Sequence, residues 1–322
     1  MLTADTIDVP PMTTVESASA SASVLKRKAS EAPAEAPDAK DRTSARIGRL
    51  RERMRSAPNW FPTAEGTTWT NVTRPGKSQR SLFVLTAPDG SQQFCMVGRV
   101  FSATLSEEAL SVPSQYSDAN SEHTDLQLHL SLRDSSCEAW ENLTDDIVAS
   151  RDRLAGIRES AIKDAMVPLI LGDEEKLPGI PDKKLKAYRK KTAEQLTEVL
   201  EDSWGGTGTN EAGDIMRTKR RCYYTTDLSN ANVFMDKWLS VTDASGQPIN
   251  YIADNSAIER GDLVLVWFRA LAQATAGNFH VSLEPRTIMR LERDGGGSGG
   301  GREGSAAFAA ALVKAMQRDA DI

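Results

Sequence analysis

Alternation is clearest at residues 126–132, LQLHLSL, where Leu126, Leu128, Leu130 and Leu132 recur at every second position. A strand turns successive side chains to opposite faces, so this spacing predicts a strand with one buried face. Residues 263–268, LVLVWF, are apolar throughout, with Leu263, Leu265 and Trp267 on one side and Val264, Val266 and Phe268 on the other. A strand apolar on both faces is covered on both, and Trp267 reads first as core and second as a stacking platform. FHVSLEPRTIMRLER, residues 279–293, pairs with it across QATAGN, and Pro285 suits an edge or a bulge. SLFVLT and FCMVGRVFSATL flank PDG, whose residues supply tight-turn dihedrals, so together they predict a hairpin. RTKRRCYYTTDLS and VFMDKWLSVTD also have strand character, the latter turning at DASG.

The period changes between about 136 and 204. Trp140, Leu143, Ile147, Leu154, Ile157, Ala161 and Ala165 follow a 3.6-residue repeat with charges between them, an amphipathic helix that Pro168 ends. DKKLKAYRKKTAEQLTEVLEDSW offers a second helix, stopped by GGTG. Outside this framework the pattern fades. Residues 1–57, with ESASASASVLKRKASEAPAEAPDAK, have little to bury and are expected to be a disordered tail. Within them Lys26–Lys28, KRK, reads either as a minimal nuclear import signal or as solvated charge, and RIGRLRERMR as a short helix or an arm lying on phosphates. The expected domain is 58–294 with a helical insertion at about 136–204. A Gly-rich linker, 295–304, follows, and then a short C-terminal helix, 305–322. Phe308, Leu312, Val313 and Met316 share a face of that helix, which either docks a protein partner or touches nothing in particular. No period of 20–50 residues recurs, which excludes solenoids and propellers.

Charge narrows the function classes. The formal net charge of -6, from 39 Lys and Arg against 45 Asp and Glu, excludes a chain basic over its whole surface, so nucleic-acid binding needs a local patch. Cys95, Cys137 and Cys222 are too far apart for a zinc motif, and their odd number fits a reducing compartment. No apolar run of about 18 residues and no leader pattern occurs, so neither a membrane span nor secretion is expected. The expected location is intracellular.

Catalytic signatures are missing. His123, Asp125 and His129 can be drawn as a metal site on one strand face, but no second ligand-rich segment completes it. WGGTGTNEAG lacks the preceding strand and the following Lys-Ser/Thr of a phosphate cradle, and neither GxSxG nor HExxH is present. The expectation is a non-enzymatic protein with no catalytic residue, metal or cofactor. Binding chemistry is better represented. Arg217, Lys219, Arg220 and Arg221 stand directly before Tyr223 and Tyr224, which places cations for phosphates beside rings for bases. The competing reading is a surface charge run leading into a strand whose tyrosines pack inward. Arg269, Arg286 and Arg290 add cations on the last two strands, and Phe279 and His280 follow their connecting loop, where a ring can reach a bound base.

The order of these parts resembles that of OB-fold single-stranded DNA-binding proteins of large double-stranded DNA viruses. The matching residues are Asp243, Gly246 and Ile249 in a DxxGxxI turn, then Gly261 and Asp262 opening an apolar strand. Gly277, Asn278 and Phe279 follow in a loop, with Val281, Ser282 and Leu283 in a final strand. The resemblance spans roughly residues 80–294. It implies an α+β fold, an OB-like five-stranded antiparallel β-barrel with a helical insertion and disordered tails. It further implies single-stranded DNA, or RNA, as partner in replication or recombination of a viral or virus-derived genome. The alternative is a structural or scaffolding protein, of a virion or a nucleus, that uses the same β-domain for protein contacts.

Overall fold

The structure is a computed structural model that describes residues 39–73, 80–105, 122–205, 208–210, 212–224, 239–251 and 256–293. The tail before residue 39, the linker 295–304 and the helix 305–322 lie outside the described residues. Eight strands form one mainly antiparallel sheet: β1 (Thr68–Asn71), β2 (Arg80–Thr86), β3 (Phe94–Thr104), β4 (Glu122–Ser131), β5 (Ile215–Tyr224), β6 (Ser240–Asp243), β7 (Leu263–Thr275) and β8 (Asn278–Glu292). With the helices that accompany them they make an α+β fold. The resemblance implied five strands, the runs read from the sequence marked seven, and β1 is the eighth.

The doubly apolar strand β7 organises the sheet. Along one edge it carries β3, from Phe94↔Phe268 to Arg99↔Leu263, and then β2, from Val84↔Leu271 to Arg80↔Thr275. Its other edge pairs with β8 along nearly its whole length. The expected hairpin of β2 and β3 is therefore corrected. The turn at PDG forms, with Ala87 N–H donating to Ser91 O at 2.8 Å, but the two strands lie end to end along β7 and not against each other. A 13-residue strand is long enough to pair with both. From β3 the sheet continues to β4 and β5. No ladder joins β5 to β8 among the described residues, so the sheet is not closed by backbone pairing. The two strands are neighbours all the same, because Arg220 Nη1 donates to Pro285 O at 3.1 Å. β6 pairs with β8 in parallel, Ser240↔Thr287 to Asp243↔Arg290.

The helices are α1 (Ala39–Arg55), α2 (Leu143–Ala161), which runs through a π-turn (Ile162–Met166) into α3 (Val167–Leu171), then α4 (Asp182–Tyr188) and α5 (Ala193–Ser203). The 3.6-residue repeat of α2 buries Leu143, Ile147, Leu154, Ile157 and Ala161, and Leu126, Leu128, Leu130 and Leu132 are fully buried beneath the sheet. Helix α1 corrects the expected extent of the tail. Its few apolar positions, Ile47 and Met54, are buried, and Arg55 pairs with Asp146 of α2 at 2.9 Å. Asp146 also accepts from the Trp140 indole at 2.9 Å, so the helix is anchored by an ion pair sharing a buried carboxylate. Arg51 is likewise engaged, with Glu141 at 2.9 Å, so two cations of the expected phosphate arm hold the helix in place.

Candidate nucleic-acid interface

Strand alternation sorts the basic run of β5. Arg217 and Lys219 are exposed, whereas Thr218 and Arg220 are buried, as period two requires. Arg220 is 3% exposed and donates to Pro285 O, so it ties β5 to β8 and its expected place at the surface is corrected. Arg221, Tyr223 and Tyr224 belong to β5, in register with Asp125, His123 and Glu122, but their side chains are outside the described residues. On the outward face Arg217 is opposite His129 and Lys219 opposite Gln127. His129 Nδ1 lies 3.1 Å from Ser102 Oγ on β3, and burial first, then Arg217, holds its pKa below the ordinary imidazole value.

The same face ends in a pocket of about 210 Å³ lined by Phe101, Ser131, Arg133, Ile215 and Arg260. The β3–β4 ladder passes from Val100↔Leu130 directly to Ser102↔His129, so Phe101 is the extra residue of a bulge. An extra residue re-aims its side chain, and here the ring is half-buried with the Arg260 guanidinium 5.4 Å from its centroid. Arg133 is fixed by Asp214 at 2.7 Å. Arg99 at the back of the pocket donates to Gly261 O, Ser135 Oγ and Ser136 O, each at 2.8 Å. The Asp243 turn that carries the family-like DxxGxxI pattern forms nearby in sequence. Asp243 Oδ1 accepts from Ser245 N–H at 2.7 Å and Gln247 N–H at 3.0 Å, and Gly246 adopts a φ of 80°.

The β7–β8 pair separates the remaining expected residues. Phe279 is 1% exposed, stacked on Trp204 with centroids 5.9 Å apart and planes at 19°, and it also packs beside Tyr188. Its expected contact with a base is corrected: the ring is core. His280 is half-buried opposite Gln273, with its pKa lowered by burial and then by Arg80. Arg290 donates to Ala257 O at 2.6 Å and so holds a loop. Arg269 and Arg286 instead line a second pocket, of about 360 Å³, together with Asn59, Gln92, Gln93 and the half-buried Trp267.

Among solved structures the chain is similar to gp2.5, a single-stranded DNA-binding protein encoded by bacteriophage T7. The TM-score is 0.34 and the identity 14%, over 67% of this chain and 93% of that one. It is also similar to the single-stranded DNA-binding protein from bacteriophage Enc34, at TM-score 0.30 and 11% identity over 74% of this chain and 99% of that one. A structure of the latter in complex with ssDNA matches at TM-score 0.30 and 12% identity, over 72% and 98%. No protein-family model matches the chain, and neither does any curated protein. Likeness at this level leaves the function to be read from this chain's own side chains.

Three of those side chains escaped the sequence reading. Phe101 and Arg260 are brought together by a bulge and by the turn into β7, and Asn59 reaches the second pocket because Cys95 N–H donates to Asn59 O at 2.9 Å along the β3 edge. The only sequence signal for the first pair was a phenylalanine out of phase with the apolar face of β3. Among the described residues no group of three His, Cys, Asp or Glu side chains can hold a metal, and no helix is long and apolar enough to cross a membrane.

Proposed function

We propose that this chain is a non-enzymatic single-stranded DNA-binding protein that holds unwound strands extended in replication or recombination of a viral or virus-derived genome. The observation that carries the reading is the outward face of β3, β4 and β5. There Arg217 and Lys219 stand about 7 Å apart along one strand and lead to Phe101 and Arg260, so cations for phosphates adjoin a ring for a base. The strand order β5-β4-β3-β7-β8, with Arg220 reaching Pro285 across the remaining gap, supports an OB-like barrel whose seam is bridged by a side chain.

The test is binding of a fluorescent oligo-dT by the full chain over a range of salt. Arg217→Glu with Lys219→Glu is expected to weaken binding uniformly across base sequences and to reduce the salt slope by about one per cation removed. An unchanged affinity and slope would leave this face a solvated charge row.

A further inference from the structure

The second pocket carries chemistry that a solvated surface does not need. Trp267 belongs to β7 at the position where the β7–β8 register shifts, and its indole is half-buried instead of packed away with its neighbours Val266 and Phe268. Arg269 follows two residues later on the same face, and Arg286 is the residue that the β8 ladder skips between Pro285 and Thr287. The two guanidinium groups are close enough that Arg286 lowers the pKa of Arg269, after the larger effect of burial. Glu284 opposes them, bonded to Arg286 at 2.9 Å, and Arg269 Nη2 donates to Gln92 Oε1 at 3.1 Å.

Both arginine Nε atoms are buried and make no hydrogen bond. Those two atoms are closed off from solvent, but both half-buried guanidinium groups line the pocket with one carboxylate beside them, a surplus of positive charge that suits an acceptor with several oxygens arriving from outside. A phosphate group has that character, and a planar guanidinium matches it in a way that water does not. The indole face beside it suits a nucleobase. Asn59, Gln92 and Gln93 add amide groups at the rim, and the pocket volume of about 360 Å³ lies in the range of small-ligand sites, roughly 300–1,000 Å³.

We infer that this pocket is a subsite for one nucleotide of the bound strand, with its base on Trp267 and its phosphate on Arg269 and Arg286. The inference rests on the single-strand reading of the β3–β4–β5 face. The Arg220–Pro285 bond connects the two regions, because exposed Lys219 and pocket Arg286 each lie one residue from it in sequence. A strand leaving the β5 row reaches the pocket by crossing the unladdered seam.

The experiment titrates the full chain with oligo-dT and with an abasic oligonucleotide of equal length, following labelled-oligonucleotide anisotropy and tryptophan emission together. Trp267→Ala is expected to weaken oligo-dT binding by about 5- to 100-fold and to bind the abasic strand as the unaltered chain does. Trp267→Phe keeps a ring and an intact fold, so it should retain most of the affinity while losing the quench that oligo-dT produces. Arg269→Gln and Arg286→Gln should weaken both oligonucleotides and lower the salt slope by about one each. If Trp267→Ala and Trp267→Phe bind oligo-dT as tightly as the unaltered chain and show the same quench, the nucleotide subsite is overturned while the β5 row stands. Failure of the unaltered chain to bind oligo-dT overturns both.

Discussion

Asp146 serves two donors at once in the helical layer. It is 4% exposed, accepts from Arg55 and from the Trp140 indole, and sits in the first turn of α2, where a carboxylate suits the positive end of the helix. Asp146→Ala should cost about 2–4 kcal/mol, because it strands both a buried N–H and a partly buried guanidinium. A lower urea midpoint with an unchanged slope would report it. Phe279→Ala removes a ring packed on Trp204 and Tyr188 and should cost about 3–5 kcal/mol; the same denaturation curve reads it. A Phe279→Ala chain as stable as the original would return the ring to the surface. Composition hid the role of Asp146, since a helix with only Ile47 and Met54 to bury resembles a charged tail until its ion pairs are seen. Burial of Phe279 was equally illegible, because the residue after a loop lies at a rim or in the core according to what packs on it, and Trp204 is 75 positions away in sequence.

At the scale of elements, period two was enough to find β4, apolar runs and the turns between them were enough to find β3, β7 and β8, and the 3.6-residue repeat was enough to find α2. Alternation in RTKRR also contained the division into outward Arg217 and Lys219 and inward Arg220, which a reading of the run as one basic patch passes over. How the strands are placed was not legible. Two apolar runs about a PDG turn look alike whether they pair with each other or both pair with a third strand, and only the length of β7 decides. The loop before α4 locks that arrangement: Ser81 Oγ donates to Pro178 O at 2.6 Å, and Gly277 N–H donates to Gly179 O at 2.7 Å. Gly179 has a φ of 81°, and a Cβ there would run into Ala274 O and lie 2.9 Å from Arg80 Cα. Gly179→Ala should therefore part the β2–β7 junction, lowering the melting temperature and first releasing hydrogen-exchange protection at Ser81 and Phe83, the β2 residues whose backbone faces β7.

For the whole molecule, two histidines link stability to pH. His129 and His280 are both held below 6.5, each by burial first and then by an arginine, so the unfolded chain binds protons that the folded one resists. Stability from this source is fully present above pH 6.5 and declines as the pH falls below it. Melting curves from neutrality down to about pH 5 should show the decline, and replacing both histidines with glutamine should flatten it. A decline that persists in the double variant would assign it to other groups.

The strand that β2 and β3 both require, β7, is made long after them. Protein synthesis proceeds at about 5–20 residues per second, so the ribosome needs on the order of ten seconds or more to get from Thr86 to Leu263. Throughout that interval β2 has only β1 to pair with and β3 only β4, and the edges of both that face β7 stay open. Stalled nascent chains released before residue 263 should remain protease-sensitive in β2 and β3, and chains extended past Glu292 should become resistant in a single step. The sheet is committed to assembling only after β7 and β8 have been made, with its earliest strands waiting for its latest.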